Sequence, residues 1–252
     1  MNTADQIRPP SFVLVRPQMG ENIGASARAM WNFGLDRMRV ISPRDGWPNE
    51  RAVALASGAG RLLDEAGLYD DLPTALADCT YVFATTARPR GMTTPIVTPE
   101  RAMQQARAIT EAGGKVGVLF GPERAGLENE DIARANAIIS VPVNPDFPSL
   151  NLAQCVLLVA YEWRRTTVET APEVMEMAGT DFANMAEITA LGDHVEARMD
   201  EAGFFFPDHK AEHMRRNLRQ IWSRLPMTRS DVQTIHGMFR QIVRWAEKKR
   251  GE

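Results

Sequence analysis

Apolar and polar residues along the first two thirds of the chain fall into short blocks of two kinds. SFVLV (11–15) is a run of β-formers and predicts a strand, while ENIGASARAMWNFG (21–34) carries helical spacing and stops at Gly34. MRVIS (38–42) predicts a second strand, NERAVALASGA (49–59) a helix, LPTALADC (72–79) a shorter helix and YVFATT (81–86) a third strand. Thr98-Pro99-Glu100 is an N-cap followed by proline at the first helical position, opening a helix that runs to Glu111. KVGVLFG (115–121) reads as a fourth strand, NEDIARA (129–135) as a short helix and AIISVPV (137–143) as a fifth strand. PSLNLAQCVLLVAYEWRR (148–165) follows Pro142, Pro145 and Pro148, and predicts the last helix of the set. Strands separated by helical stretches point to an α/β fold, a mostly parallel sheet flanked by helices on both faces.

After Arg165 the pattern changes. TTVETAPEVMEMAGT is polar and weakly periodic, so 166–182 reads as a linker. Only helices follow, over about 183–202, 208–224 and 230–249, with FFFP (204–207) breaking the first from the second. In the last, Val232, Ile235, Phe239, Ile242 and Ala246 form one stripe. The expected organisation is a catalytic-type domain over 1–165, the linker, and a small all-α extension over 183–252.

Composition narrows the class. The 252 residues suffice for one ordinary domain with an appendage, and 44% hydrophobic with 24% charged content is that of a soluble globular protein. No apolar run reaches a bilayer span, and the start of the chain lacks a basic-then-apolar signal pattern, so a cytoplasmic protein with no membrane contact is expected. Cys79 and Cys155 alone make neither a disulfide framework nor a zinc site, and read as buried thiols in a reducing compartment. The net charge of −3 becomes informative when split. Residues 210–252 hold eleven Lys/Arg against four Asp/Glu, a local +7, which leaves −10 on residues 1–209. A basic tail on an acidic body fits a polyanion-contacting appendage, and equally a solvated helix face.

Ligands of open parallel sheets bind outside the carboxyl ends of the strands, so the strand-to-helix loops are where chemistry is sought. Four stand out: RPQMGENIGASARAM, ATTARPRG, FGPERAGLENED and VNPDFPSLN. None is a G-x-G-x-x-G or a G-x-x-x-x-G-K-[ST], which disfavours a dinucleotide or P-loop site. No G-x-S-x-G surrounds Ser149, and all four histidines lie in the tail, so a serine hydrolase is disfavoured too. His209 and His213 stand at i, i+4 but lack a third ligand, so no metal is expected. The loops instead offer Gly121 for close backbone approach, Glu123 behind it, Asn22 and Arg28 six apart, and Ser149 and Asn151 at a helix N-terminus. Taken singly, Ser149 reads best as a plain N-cap and Arg28 as a surface arginine.

Taken together they read differently. NIGASARAMWNFGL (22–35), LFGPERAGLENEDI (119–132) and VPVNPDFPSLNLAQCVLLVAYE (141–162) resemble the three motifs of the SpoU branch of the SPOUT RNA methyltransferases in order, spacing and flanking strands. The tail, from GFFFPDHKAEHMRRNLRQIW onward, looks like the extension of the TrmJ group. The resemblance covers about residues 10–165 and implies what residue patterns alone do not: a deep C-terminal trefoil knot, S-adenosylmethionine as methyl donor, and a homodimer with its active site shared across the interface. It implies transfer to the ribose 2′-hydroxyl of a pyrimidine in the tRNA anticodon loop, with position 32 expected. Rival readings are an rRNA 2′-O-methyltransferase and a non-catalytic RNA-binding protein on the same fold.

By the same resemblance the donor is held by Thr85, Thr86, Ala87, Gly121, Val141, Ser149, Leu150 and Asn151, and catalysis falls to Arg28, Asn22, Glu123, Ser149 and Asn151. A guanidinium stays protonated, so Arg28 suits developing alkoxide charge and an adjacent phosphate better than general-base work. RNA contacts are expected from Arg88 and Arg90 in ATTARPRG and from Arg215, Arg216, Arg219, Arg224, Arg240 and Arg244, with Lys248 and Lys249, in the tail.

Overall fold

The computed structural model describes residues 8–88 and 93–250, so Arg90 lies outside the described residues. The chain divides into two compact units, residues 1–170 and 171–252. The first holds a seven-stranded, all-parallel sheet of β1 (Ser11–Val15), β2 (Met38–Ile41), β3 (Gly67–Tyr69), β4 (Tyr81–Thr85), β5 (Ile96–Val97), β6 (Val116–Phe120) and β7 (Ala137–Ile139), in the order β3-β2-β1-β6-β4-β7-β5. Its helices are α1 (Gly20–Asn32), α2 (Glu50–Ala56), α3 (Gly60–Asp64), α4 (Leu72–Leu76), α5 (Pro99–Glu111), α6 (Asn129–Ile132) and α7 (Leu152–Thr167).

Strand alternation divides the core into two layers. Phe12 and Leu14 of β1 join Val40, Phe83, Val118 and Phe120 under α1, α2, α3, α5 and α7, whereas Val13 and Val15 face Leu72, Ala75, Leu127 and Ile132 of the α4 and α6 side. Central strands buried on both faces carry near-continuous apolar sequence, which is why VGVLF has no polar position and SFVLV only its first, the buried Ser11. α1 and α2 pack closely because Gly24 has no side chain: a Cβ there would stand 2.1 Å from the Ala52 carbonyl oxygen. α1 stops at Gly34, whose φ of 75° is open to glycine at little cost.

Several boundaries depart from the sequence reading. The helix expected over 49–59 is α2, capped by the Asn49 side chain, followed by a 3₁₀ turn, Ser57–Ala59, and then α3. The strand expected over 137–143 ends at Ile139, because Pro142 has no N–H to give a ladder and the chain leaves the sheet before it. The edge strands β3 and β5, three and two residues long, lay below the reach of periodicity.

The second unit contains α8 (Met185–Glu201), α9 (Asp208–Arg224) and α10 (Arg229–Arg250). α8 opens on a capping box in which Asn184 and Glu187 satisfy each other's backbone N–H groups at 3.0 and 2.8 Å. Ile188, Leu191, Val195, Met227 and Val232 form its small core. Residues 166–182, expected as linker, are claimed at both ends: α7 runs through Thr167, and Phe182 bridges to Thr228. Of the apolar stripe expected on the last helix, Val232, Ile235 and Phe239 face that core and Ile242 is exposed. Among the described residues no helix is long and apolar enough to cross a membrane.

Candidate active site

β1, β6, β4 and β7 are neighbours in the sheet, so the four loops singled out from the sequence leave adjacent parallel strands at the same edge. A cavity of about 240 Å³ opens there. The β4 loop lines it with Thr85, Thr86, Ala87 and Arg88, and the β6 loop with Gly121, Glu123 and Arg124. The segment after β7 contributes Val141, Ser149 and Leu150. Every residue expected around the donor lines this cavity except Asn151, which stands at its margin as the cap of α7. Gly121 is required by close approach: a Cβ would meet the Leu127 nitrogen at 2.3 Å and the Gly126 carbonyl carbon at 2.5 Å.

Glu123 is the junction of the three motifs. Its Oε2 accepts the Gln18 N–H at 2.8 Å, and its Oε1 accepts the Met19 N–H at 3.0 Å and the Asn22 Nδ2 amide at 2.8 Å. Asn22 Oδ1 in turn accepts from Asn151 Nδ2 at 2.9 Å. The Asn151 Oδ1 caps α7, accepting the Ala153 and Gln154 N–H groups at 2.9 and 3.3 Å. The cap is therefore Asn151; Ser149, expected in that role, stands outside the helix, exposed and facing the cavity. A second tie braces the same two loops: Arg16 Nη2 stands 2.5 Å from Asp131 Oδ2, and that carboxylate also accepts the Glu128 N–H at 2.9 Å.

Arg28 is not brought to the cavity within one chain. It lies on the exposed side of α1, and among the described residues no hydrogen bond or ion pair holds it. In the second unit Arg215 pairs with Glu196 and Asp200 at 3.1 and 2.6 Å and lies 4.2 Å over the Phe205 ring, while Arg219 is bidentate to Glu196 at 2.9 Å. These two guanidiniums expected on RNA are thus engaged within their own unit. Arg216, Arg224, Arg240, Arg244 and Lys248 are exposed.

A sequence model of the SpoU rRNA Methylase family matches residues 9–161, the segment that builds the sheet and the cavity. The chain belongs to this family. It is 33% identical over 259 residues to the tRNA (cytidine/uridine/adenosine-2′-O-)-methyltransferase TrmJ of Pseudomonas aeruginosa strain UCBPP-PA14, covering 98% of this chain and 99% of that one. It is 31% identical to the tRNA (cytidine/uridine-2′-O-)-methyltransferase TrmJ of Photorhabdus laumondii over 94% and 98% of the two chains. Among solved structures, TrmJ from Z. mobilis ZM4 superimposes with a TM-score of 0.82 at 46% identity, covering 93% of this chain and 99% of that one.

Arg124 and Cys155 are among the residues lining the cavity of this SpoU methylase that motif reading left aside. Arg124 follows Glu123 and is exposed at the rim. Cys155 lies one helical turn after Asn151, on the side of α7 that also buries Leu152, and that i, i+3 relation was the signal available. Burial pushes the Cys155 thiol up to about 11, against a hydrogen bond with Thr85 that lowers it. An unfolded cysteine ionises near ~8.5. The folded state thus keeps its proton through a range where the unfolded chain loses it, and stability falls as pH rises from the unfolded value through the folded one. At pH 9, iodoacetamide is expected to alkylate Cys155 far more slowly in the native protein than in urea, read by peptide mass spectrometry; equal rates would mean that the thiol is not shielded by the cavity wall.

Proposed function

We propose that this SpoU methylase is an S-adenosylmethionine-dependent tRNA 2′-O-methyltransferase of the TrmJ type, acting in the cytoplasm on a pyrimidine ribose of the anticodon loop, with position 32 as the expected target. The observation that carries the reading is the hydrogen-bonded junction of Glu123, Asn22 and Asn151 at the rim of a cavity formed by four adjacent strand ends. The TrmJ relatives, matched over nearly their whole length, supply the substrate class.

The residues present fit the donor. Ile139, Val141, Leu150 and Leu152 offer an apolar wall to a flat purine, and the loop backbones at the strand ends offer donors and acceptors to its edge. When bound, S-adenosylmethionine supplies an electrophilic methyl on a sulfonium. The protein aligns the ribose oxygen in line with that methyl, and alignment itself removes much of the barrier. Asn22, fixed by two partners, and Asn151, fixed by three, hold the rim that receives the ribose. Ser149 is exposed at the same rim, within reach of an incoming hydroxyl group.

The reading includes a homodimer and a knot. α1 and α7 pack against each other, and both expose large apolar side chains: Trp31 on α1, and Leu157, Leu158 and Tyr161 on α7. A second copy covering that face would carry Arg28 of one protomer to the cavity of its partner. The passage of the chain through residues 140–151 before α7 settles against α1 and α5 is the segment that would thread the knot.

The deciding experiment is transfer of labelled methyl from S-adenosylmethionine to bulk tRNA and, in parallel, to rRNA, with nucleoside mass spectrometry of the product. Expected products are 2′-O-methylcytidine and 2′-O-methyluridine from the anticodon loop. Labelling of rRNA alone would favour the ribosomal reading, and donor-independent RNA binding with no transfer would favour the non-catalytic one. The exposed Arg216, Arg224, Arg240, Arg244 and Lys248 carry the grip on RNA, so tRNA affinity is expected to fall about 10³-fold between 50 and 200 mM salt if some six phosphates are contacted. A flat salt response would remove the helical unit as the main grip.

A further inference from the structure

The charges of α8 are sorted by face. Glu196 and Asp200 lie on the side that meets α9, where Arg215 and Arg219 neutralise them. His194, one helical turn before Arg198, lies on the other side, toward α10. There α10 presents His236 and, four residues on, Arg240. The two histidines meet edge to edge: Nδ1 stands 2.8 Å from Nδ1, with ring centroids 4.9 Å apart and planes 26° from parallel. Beside them opens a shallow cavity of about 320 Å³ lined by His194, Gln233, His236 and Arg240.

This groove has an unbalanced charge. Arg198 has Glu201 at 2.8 Å, whereas Arg240 gives its Nε–H to the His236 carbonyl oxygen at 3.3 Å, and among the described residues no carboxylate pairs with it. The charged groups facing His194 are His236, Arg198 and Arg240, all cationic or able to become so. A metal dication is disfavoured by that field, and among the described residues no group of three or more His, Cys, Asp or Glu is placed to hold one. An anion is favoured. The Nδ1 contact itself limits how much charge can be accepted. Two neutral rings share one proton across 2.8 Å, a singly protonated pair forms a charge-assisted bond, and a doubly protonated pair sets two N–H groups against each other. From this notch the basic positions continue along α10 at four-residue steps, His236, Arg240, Arg244 and Lys248, each step about 6 Å of helix rise.

We propose that the groove between α8 and α10 binds a backbone phosphate of the RNA substrate through His194, His236 and Arg240, and that binding loads one proton onto the histidine pair. The inference rests on the reading of this protein as a tRNA methyltransferase and adds a located, pH-dependent contact to it. In the free protein His194 resists protonation, since burial first, and then His236, Arg198 and Arg240, lower its pKa. A phosphate reverses the electrostatic part of that effect, so binding and proton uptake are linked and affinity rises as pH falls.

The test uses the full chain and tRNA transcripts. Titration calorimetry of the wild type in two buffers of different ionisation enthalpy, at pH 7.0, is expected to show net proton uptake on tRNA binding. Affinity is expected to rise roughly tenfold from pH 7.5 to 6.0, the slope of up to one proton per pH unit. His236→Asn keeps an amide nitrogen where Nδ1 stood but does not titrate, and should flatten that slope. Arg240→Gln should weaken binding and reduce the salt slope by about one. Circular dichroism checks that both variants fold, and the wild-type proton count needs no variant. Tight tRNA binding with no proton uptake and an unchanged slope in His236→Asn overturns this inference alone. Absence of tRNA binding at every pH overturns the parent reading and this contact with it.

Discussion

Arg28→Lys is expected to lose methyl transfer almost as fully as Arg28→Ala, each by about 10²–10³ in kcat, the size seen when a donor to developing negative charge is removed. Both change a residue on an exposed helix face with no partner among the described residues, so neither should move the melting temperature. What lysine lacks is the planar fork, which engages a phosphate through two parallel N–H groups while remaining protonated. Near-normal turnover by Arg28→Lys would show that a point charge suffices and refute the fork. The position of Arg28, away from the cavity its own chain builds, yields a sharper result. Mixed dimers of Arg28→Ala with Glu123→Gln should regain activity that neither parent dimer has. In such a dimer one site combines an intact cavity with an intact Arg28, so random mixing restores about a quarter of the wild-type sites. No regain on mixing would place Arg28 in the service of its own subunit and remove the shared-site arrangement.

The parts of the molecule legible in the sequence are those in which one physical rule acts alone. Buried parallel strands need continuous apolar runs, so β1, β4 and β6 stand out, and Thr98-Pro99 marks the start of α5 through a side-chain cap and a fixed φ. β5 is two residues at a sheet edge, where pairing with β7 rather than local pattern makes the strand. The convergence of the site was only half legible. Four strand-end loops carried the chemistry, but the order β1-β6-β4-β7 that makes them neighbours is a property of crossovers, invisible to periodicity. Ser149 and Asn151 were both candidates for the mouth of α7. In the fold Asn151 commits its oxygen to the helix and its amide to Asn22, leaving Ser149 to the cavity. In the basic tail, net charge could not separate Arg215 and Arg219, neutralised by acids of α8, from Arg216 and Arg244, which face solvent.

Glu123→Gln is expected to cost both stability and rate, in a pattern that separates a positioning carboxylate from a proton acceptor. Two carboxylate oxygens accept three N–H groups, from Gln18, Met19 and Asn22. Glutamine keeps one oxygen and turns an NH₂ toward donors, leaving at least one N–H without an acceptor, at a cost of about 1–3 kcal/mol. The loop that it releases is the one opening α1, and with it the Asn22 bridge to Asn151. A displacement of about 1 Å there is enough for roughly 10² in kcat. The variant should therefore melt several degrees lower, lose that factor, and keep the shape of the wild-type pH–rate profile. Were Glu123 the base that takes the ribose proton, the acidic limb of the profile would vanish in Glu123→Gln while the melting temperature held. That second pattern would move Glu123 from the frame of the site into its chemistry, and the present geometry weighs against it because both oxygens are already occupied by the chain's own donors.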